Sequence, residues 1–249
     1  MLPDTPVSGK LASTPKARLQ PLRRIFGHLA DALEARCFLC GARSRGYLCK
    51  ACFHALPWND HACLHCARPL PDLPGKLCGA CTRATPAFDN AQAAFSYAWP
   101  VNQLVQRFKF HGNLATGRIL ALALRDYLDI HQASLPDLVI PVPLHPRRLA
   151  QRGFNQASEI ARIIAPSLPA DLNIDGLVRT RHTSAQSGLD RAARRRNLRH
   201  AFECHRPVRG LHVAVVDDVI TTGSTAETIA RTLKRAGAER VTLYALARA

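Results

Sequence analysis

Two groups of residues in this 249-residue chain have the types and spacing to do chemistry. The first is residues 213–225, which read Val-Ala-Val-Val-Asp-Asp-Val-Ile-Thr-Thr-Gly-Ser-Thr. The apolar start, through Val216, reads as a buried strand. Asp217 and Asp218 follow at its carboxyl end, and Thr221, Thr222, Gly223, Ser224 and Thr225 form a loop that opens a helix. Ionised carboxylates accept hydrogen bonds from both hydroxyls of a vicinal diol. Hydroxyls and free N–H groups at a helix amino terminus attract phosphate, and a glycine lets the backbone approach it. The pattern therefore points to a phosphorylated sugar. Aspartates that merely capped the helix would account for one acid and leave the Thr/Gly loop unexplained. A Walker B strand would need a Gly-x-x-x-x-Gly-Lys-Ser/Thr loop, which the sequence lacks.

The second group is eight of the nine cysteines, in four Cys-x-x-Cys pairs: Cys37/Cys40, Cys49/Cys52, Cys63/Cys66 and Cys78/Cys81. Two such pairs complete a tetrahedral thiolate set for one zinc, so eight ligands suggest two structural Zn2+ sites. Sequential grouping, first four then last four, is expected over an interleaved, cross-braced arrangement. Disulfides are the rival reading, disfavoured in a cytosolic chain. The segment is poor in apolar residues, so metal supplies most of its stability and zinc removal is expected to unfold it. His54, His61 and His65 read as loop histidines and Cys204 as an ordinary thiol.

The elements that must position these groups follow from composition and periodicity. Hydrophobic residues make up 47% of the chain, enough for one medium domain and one small one. Lys and Arg number 34 against 18 acidic residues, and the net charge of +16 favours anionic partners. Residues 1–34 read as a basic flexible tail with a short helix at 25–34, residues 35–84 as a double zinc-ribbon domain, and residues 82–90 as a polar linker. Residues 91–249 then alternate strand and helix: strand 91–97, helices 100–110 and 114–128, strand 137–142, helix 155–165, strand 211–216, helix 224–236 and strand 240–247. Such alternation predicts an open, mainly parallel α/β sheet. No signal peptide or membrane-length apolar run is legible, which predicts a cytoplasmic protein without membrane insertion.

Residues 213–225 closely resemble the signature that type I phosphoribosyltransferases use to bind 5-phosphoribosyl-1-pyrophosphate (PRPP). The wider chain resembles the ComF family of competence-associated proteins, which join an amino-terminal zinc module to a phosphoribosyltransferase domain. That resemblance is also carried by Phe108-Lys-Phe-His-Gly112, by residues 141–148 (Pro-Val-Pro-Leu-His-Pro-Arg-Arg) with 152–156 (Arg-Gly-Phe-Asn-Gln), and by residues 186–202. It implies a type I phosphoribosyltransferase-like open sheet with a hood. The turn Pro143-Leu144-His145 would present backbone amides to pyrophosphate, with Arg147 and Arg148 adding charge and Lys109 neutralising another phosphate oxygen. Gln186, Arg191, Arg194, Arg195, Arg196 and Asn197 would belong to the hood. Arg191 and Arg195 are expected to act beside Asp217 and Asp218 at the reacting centre. A solvated arginine face is the duller reading of 194–196, and helix capping the duller reading of Arg152, Asn155 and Gln156.

Mg2+ is expected with PRPP, bridging pyrophosphate and ribose oxygens. The acceptor is not legible. Three function classes follow: a phosphoribosyltransferase releasing pyrophosphate, a PRPP sensor without turnover, and a handler of single-stranded DNA in uptake or DNA use. Candidate partners beyond PRPP are single-stranded DNA and proteins of the competence machinery. Phe38, Tyr47, Phe53 and Trp58 are the aromatics available for base stacking in the cysteine region.

Overall fold

The computed structural model describes residues 35–70, 77–131, 135–180 and 201–249. The tail and helix expected before residue 35, and the hood residues Gln186, Arg191, Arg194, Arg195, Arg196 and Asn197, lie outside them. The chain divides into two compact units, Met1–Ala55 and Leu56–Ala249, so the division falls between the two cysteine groups.

In the smaller unit, β1 (Ala35–Arg36) pairs antiparallel with β2 (Arg43–Ser44), and α1 (Lys50–His54) follows. The Cys37 N–H donates to the Ala42 carbonyl at 2.7 Å and the Gly41 N–H to the Cys37 carbonyl at 2.9 Å, with Gly41 at φ 73°. This tight turn brings Cys37 and Cys40 together. Cys49 caps α1, its sulfur accepting from the Cys52 N–H at 3.4 Å.

The larger unit is built on one five-stranded, all-parallel sheet. Its strands are β3 (Asn90–Ser96), β4 (Leu138–Pro141), β5 (Asp171–Leu172), β8 (His212–Ile220) and β9 (Arg240–Arg248), in the spatial order β3-β9-β8-β4-β5. Helices α3 (Val101–Phe110) and α4 (Leu114–Ile130) connect β3 to β4. Helices α5 (Pro146–Arg152) and α6 (Gln156–Ile164) connect β4 to β5, and α7 (Ser224–Arg235) connects β8 to β9. A short antiparallel pair, β6 (Leu177–Arg179) with β7 (Phe202–Cys204), precedes β8. α2 (Gly79–Arg83) carries the last cysteine pair.

β8 is central, and period-2 alternation sends its side chains to both faces. Val213 and Val215 join a cluster with Ile229, Ala230 and Leu233 of α7, while Ala214 and Val216 are fully buried on the opposite face. A strand covered twice must be apolar throughout, which explains the unbroken run at 213–216. The strand continues to Ile220, beyond the 211–216 expected, because β9 keeps pairing it as far as Ile220 opposite Arg248. The two aspartates therefore lie within the strand near its carboxyl end, Asp217 paired with Ala245. The chain runs from β4 outward to β5 but from β8 back toward β9, so the strand order reverses between β4 and β8. That crevice is where open α/β sheets place ligands.

Residues 82–90, expected as a linker, are docked on the sheet. The Ala87 N–H donates to Glu227 Oε2 at 2.8 Å. Asp89 Oδ2 accepts from the Val241 N–H at 2.7 Å and pairs with Lys234 Nζ at 2.7 Å. Among the described residues no helix is long and apolar enough to cross a membrane.

Candidate functional site

Asp217 and Asp218 sit where β8 leaves the core. Asp218 is 9% exposed and pairs with Lys109 Nζ of α3 at 2.8 Å. Lys109, expected on a phosphate oxygen, thus rests on the acidic pair. The Asp218 N–H turns back to donate to Asp217 Oδ1 at 2.8 Å. Burial first, and the Asp218 charge second, push the Asp217 carboxyl up to about 7. The Asp217 carboxyl therefore changes charge close to neutral pH.

Two arginines interact with this pair. Burial and the Arg148 charge weaken the Arg179 guanidinium, while Asp217 holds it charged, and Arg179 lies 5.6 Å over the Phe202 ring. Burial weakens Arg152, Asp218 opposes that, and the guanidinium stacks 5.3 Å over Phe110. Arg152 and Arg179, with Lys109, set positive charge beside the two carboxylates, and Arg148 stands close to both arginines, a charge pattern that attracts anions.

The loop after β8 has the form its residues imply. Gly223 caps α7 with φ 76° in the left-handed region, where a side chain would be strained. Thr222 Oγ1 and Ser224 Oγ are 2.9 Å apart and the Ser224 N–H donates to Thr222 Oγ1 at 3.4 Å, pulling the loop into a tight turn. Thr221 is exposed, Thr222 and Thr225 half-buried, Ser224 buried. Val216, expected among the binding residues, has a fully buried side chain, and its carbonyl accepts from the Val142 N–H at 2.8 Å, so it works within the sheet.

Across the crevice β4 leads into the half-buried turn Pro143-Leu144-His145. His145 caps α5, its Nδ1 accepting from the Arg147 N–H at 3.2 Å; Arg147 is exposed and Arg148 half-buried. Asn155 caps α6, accepting from the Ala157 N–H at 3.1 Å, and donates to the Val142 carbonyl at 2.9 Å. Arg152 Nη1 donates to Gln156 Oε1 at 2.9 Å. Asn155 therefore braces the approach to this turn and Gln156 holds Arg152, the duller of their two readings. Two cavities flank the site. One of about 460 Å³ touches Thr222, Gly223, Ser224, Arg68, Arg83 and Arg248, and one of about 530 Å³ touches Pro143, Leu144, Asn155 and Arg179. The acidic pair lines neither.

The cysteines gather as Cys37, Cys40, Cys49, Cys52 and as Cys63, Cys66, Cys78, Cys81, the sulfurs of each set all within 4.8 Å of one another. Cys40 and Cys49 sulfurs are 3.7 Å apart, as are those of Cys66 and Cys78. A tetrahedron with about 2.3 Å zinc–sulfur bonds has edges of about 3.8 Å, so both sets fit Zn2+ in the sequential grouping. Burial raises the thiols of Cys37 and Cys78, yet backbone N–H donors outweigh it and bring both down to about 6; in the same sets hydrogen bonds with Cys40 and Cys49 push Cys52 up to about 12, and burial pushes Cys66 and Cys81 up. The histidines stay outside both sets, His65 contacting the Phe88 carbonyl at 2.5 Å. The first set is partly exposed. The second is buried, within the cluster that includes β8 and α7.

Residues 32–82 match the double zinc ribbon domain and residues 149–249 the phosphoribosyl transferase domain. Competence protein F of Haemophilus influenzae is 36% identical over 227 residues, covering 86% of this chain and 97% of that protein. The chain belongs to the competence protein F family. Other relatives of this ComF-family chain include DNA utilization protein YhgH of Escherichia coli K12, 34% identical over 221 residues (85% of this chain, 96% of that protein). Competence protein ComFC of Streptococcus pneumoniae is 26% identical over 157 residues, covering 63% and 67%. Among solved structures, a purine phosphoribosyltransferase from Pyrococcus horikoshii aligns over 61% of this chain and 74% of its own at 19% identity, with a TM-score of 0.32. Sequence reading of this ComF-family protein missed Arg179 and Arg248. Each ends an apolar stretch on a strand far from the motif, and that terminal charge was the available signal.

Proposed function

We propose that this ComF-family protein binds PRPP with Mg2+ and transfers its phosphoribosyl group to an acceptor, releasing pyrophosphate. The observation that carries the reading is the acidic pair at the β4/β8 crevice, followed on the same strand by the glycine-capped loop at the start of α7. In this reading the loop N–H groups and the Thr222 and Ser224 hydroxyls hold the 5-phosphate. Asp217 and Asp218 accept from the two ribose hydroxyls, with Lys109 yielding one Asp218 oxygen to the sugar. The Pro143-Leu144-His145 turn and Arg148 face the pyrophosphate, joined by Gln186, Arg191 and Arg195 from the hood. The donor brings Mg2+, a hard ion suited to carboxylate and phosphate oxygens, which supplies charge neutralisation at the leaving group. The acceptor's lone pair forms the new bond to C1, the C1–oxygen bond to pyrophosphate breaks with its electrons, and the acceptor's proton leaves to solvent. The chain contributes position and charge.

Relatives named for competence and for DNA utilization support a role in DNA uptake or use. A non-catalytic PRPP sensor is the second reading, for which the same acidic pair and glycine-capped loop would suffice without an acceptor site. For direct DNA contact through base stacking, Phe38 is exposed, while Trp58 is packed on Phe95 at 4.6 Å. The deciding experiment is a PRPP-turnover assay across purines, pyrimidines and single-stranded DNA. Pyrophosphate release that stops in Asp217→Ala with Asp218→Ala supports transfer; tight Mg-dependent PRPP binding with no release with any acceptor supports a sensor.

A further inference from the structure

We infer that Arg248 is a positioning residue that ties the geometry of the phosphate loop to the second four-cysteine zinc site. Arg248 ends β9 and is 3% exposed. Its Nη1 donates to the Ile220 carbonyl at 3.0 Å and to the Thr221 carbonyl, the two peptide groups that begin the loop. Its Nε donates at 3.0 Å to the carbonyl of Cys66, a member of the second cysteine set. One planar guanidinium thus bridges the metal knuckle and the loop.

The consequence for the loop follows from peptide geometry. A trans peptide points its carbonyl and its N–H in opposite directions. Fixing the Ile220 and Thr221 carbonyls on Arg248 fixes the N–H groups of Thr221 and Thr222, which point away from the guanidinium. The Ala249 N–H also donates to the Ile220 carbonyl at 3.0 Å, so that peptide is held twice. The loop's amides are set from behind by Arg248, as its hydroxyls are set from within by the contact of Thr222 with Ser224.

The zinc site supplies what carbonyls cannot. A buried guanidinium is costly without an opposing charge, and the peptide carbonyls of Cys66, Ile220 and Thr221 carry none. Zinc held by four thiolates is a net anion, and in this set all four cysteines are buried. The Cys66 knuckle is itself fixed on the sheet side, since His65 contacts the Phe88 carbonyl and the Ala87 N–H is held by Glu227 of α7. Loss of the second zinc is therefore expected to release Arg248 and loosen the loop. The side-chain hydrogen bonds of Arg248 run to residues 66, 220–221 and 249, none of them in the first cysteine set.

The inference rests on the donor-binding reading for its effect on PRPP, and the experiment separates the two. In full-length zinc-loaded protein, hydrogen exchange of amides 221–224, zinc content and Mg·PRPP calorimetry are measured for wild type, Arg248→Lys, Cys81→Ser and Cys40→Ser. Lys keeps the charge but loses the fork. Arg248→Lys is expected to retain both zincs while loop exchange quickens, and PRPP affinity falls, by about tenfold or more, the scale of one or two charge-assisted bonds. Cys81→Ser is expected to lose the second zinc and, with it, to quicken loop exchange and lower PRPP affinity in the same way, whereas Cys40→Ser is expected to lose the first zinc and leave exchange and affinity unchanged. Unchanged exchange in Arg248→Lys, or equal effects of the two cysteine changes, overturns the inference. If wild type takes up no PRPP while Arg248→Lys still loosens the loop, the donor reading falls and the positioning role stands. Should Arg248→Lys or Cys81→Ser fail to fold, graded chelation of wild type decides: loop exchange that rises with loss of the second zinc supports the coupling, and exchange that does not follow it overturns it.

Discussion

Asp217 is the residue on which the site's chemistry and its cost meet. Its carboxyl is raised from the ordinary 3.8 to about 7 by burial and by Asp218. A raised folded-state pKa means that the native state holds a proton the unfolded chain has lost, so the ligand-free protein loses stability as pH rises from about 4 through about 7. Asp217→Asn is expected to flatten that slope and raise the Tm at pH 8 by a few degrees while abolishing PRPP uptake, checked by thermal melts across pH. A diol hydroxyl donates best to the ionised form, so PRPP affinity is expected to rise between about pH 6 and pH 8 in wild type, an inflection calorimetry reads directly. Lys109→Met strands the Asp218 carboxylate and is expected to cost about 2–3 kcal/mol in urea unfolding. Asp217, Asp218 and the Thr/Gly loop were legible because they are contiguous. Lys109's place on Asp218, and the nearby arginines 152 and 179, depend on which helix and which strand end face β8, a matter of register that local spacing does not carry.

At the scale of elements, two glycines decide where the site's parts come to rest. Gly117 in α4 leaves room for the Phe108 ring, since a Cβ there would stand 2.3 Å from a Phe108 ring carbon. Phe108 precedes Lys109 on α3, so Gly117→Ala is expected to push the helix outward, cost about 1–3 kcal/mol of stability and weaken the Lys109–Asp218 contact. A melt together with PRPP affinity checks both. Gly223 is the opposite case: a Cβ would meet nothing within 4 Å, and only its φ of 76° forbids one. Gly223→Ala is expected to cost about 1–2 kcal/mol, with a greater proportional loss in PRPP affinity because the loop must refold to relieve the strain. Helix and strand periods located nearly every element of the parallel sheet. β8 outran its expected end because a ladder partner, rather than its own composition, sets where a strand stops.

For the whole molecule, the cysteine groups share a spacing but not a structural setting. Cys63, Cys66, Cys78 and Cys81 belong to the hydrophobic cluster of the larger unit, whereas the first set lies in residues 1–55 and is partly exposed. Chelation is expected to remove zinc in two phases, the first leaving the main melt unchanged and the second lowering it sharply, which calorimetric scans with a zinc indicator can follow. Cys-x-x-Cys spacing foretold both metal sets. It could not foretell that one would pack into the α/β core, because that depends on residues 82–90 docking through Ala87 and Asp89. The central claim concerns the crevice between β4 and β8. Calorimetric titration of the full-length, zinc-loaded protein with Mg·PRPP tests it most directly. One site per chain in wild type, lost in Asp217→Ala with Asp218→Ala while both zincs and a cooperative melt are retained, is the expected result. No heat of binding from a folded, zinc-replete wild type would contradict it.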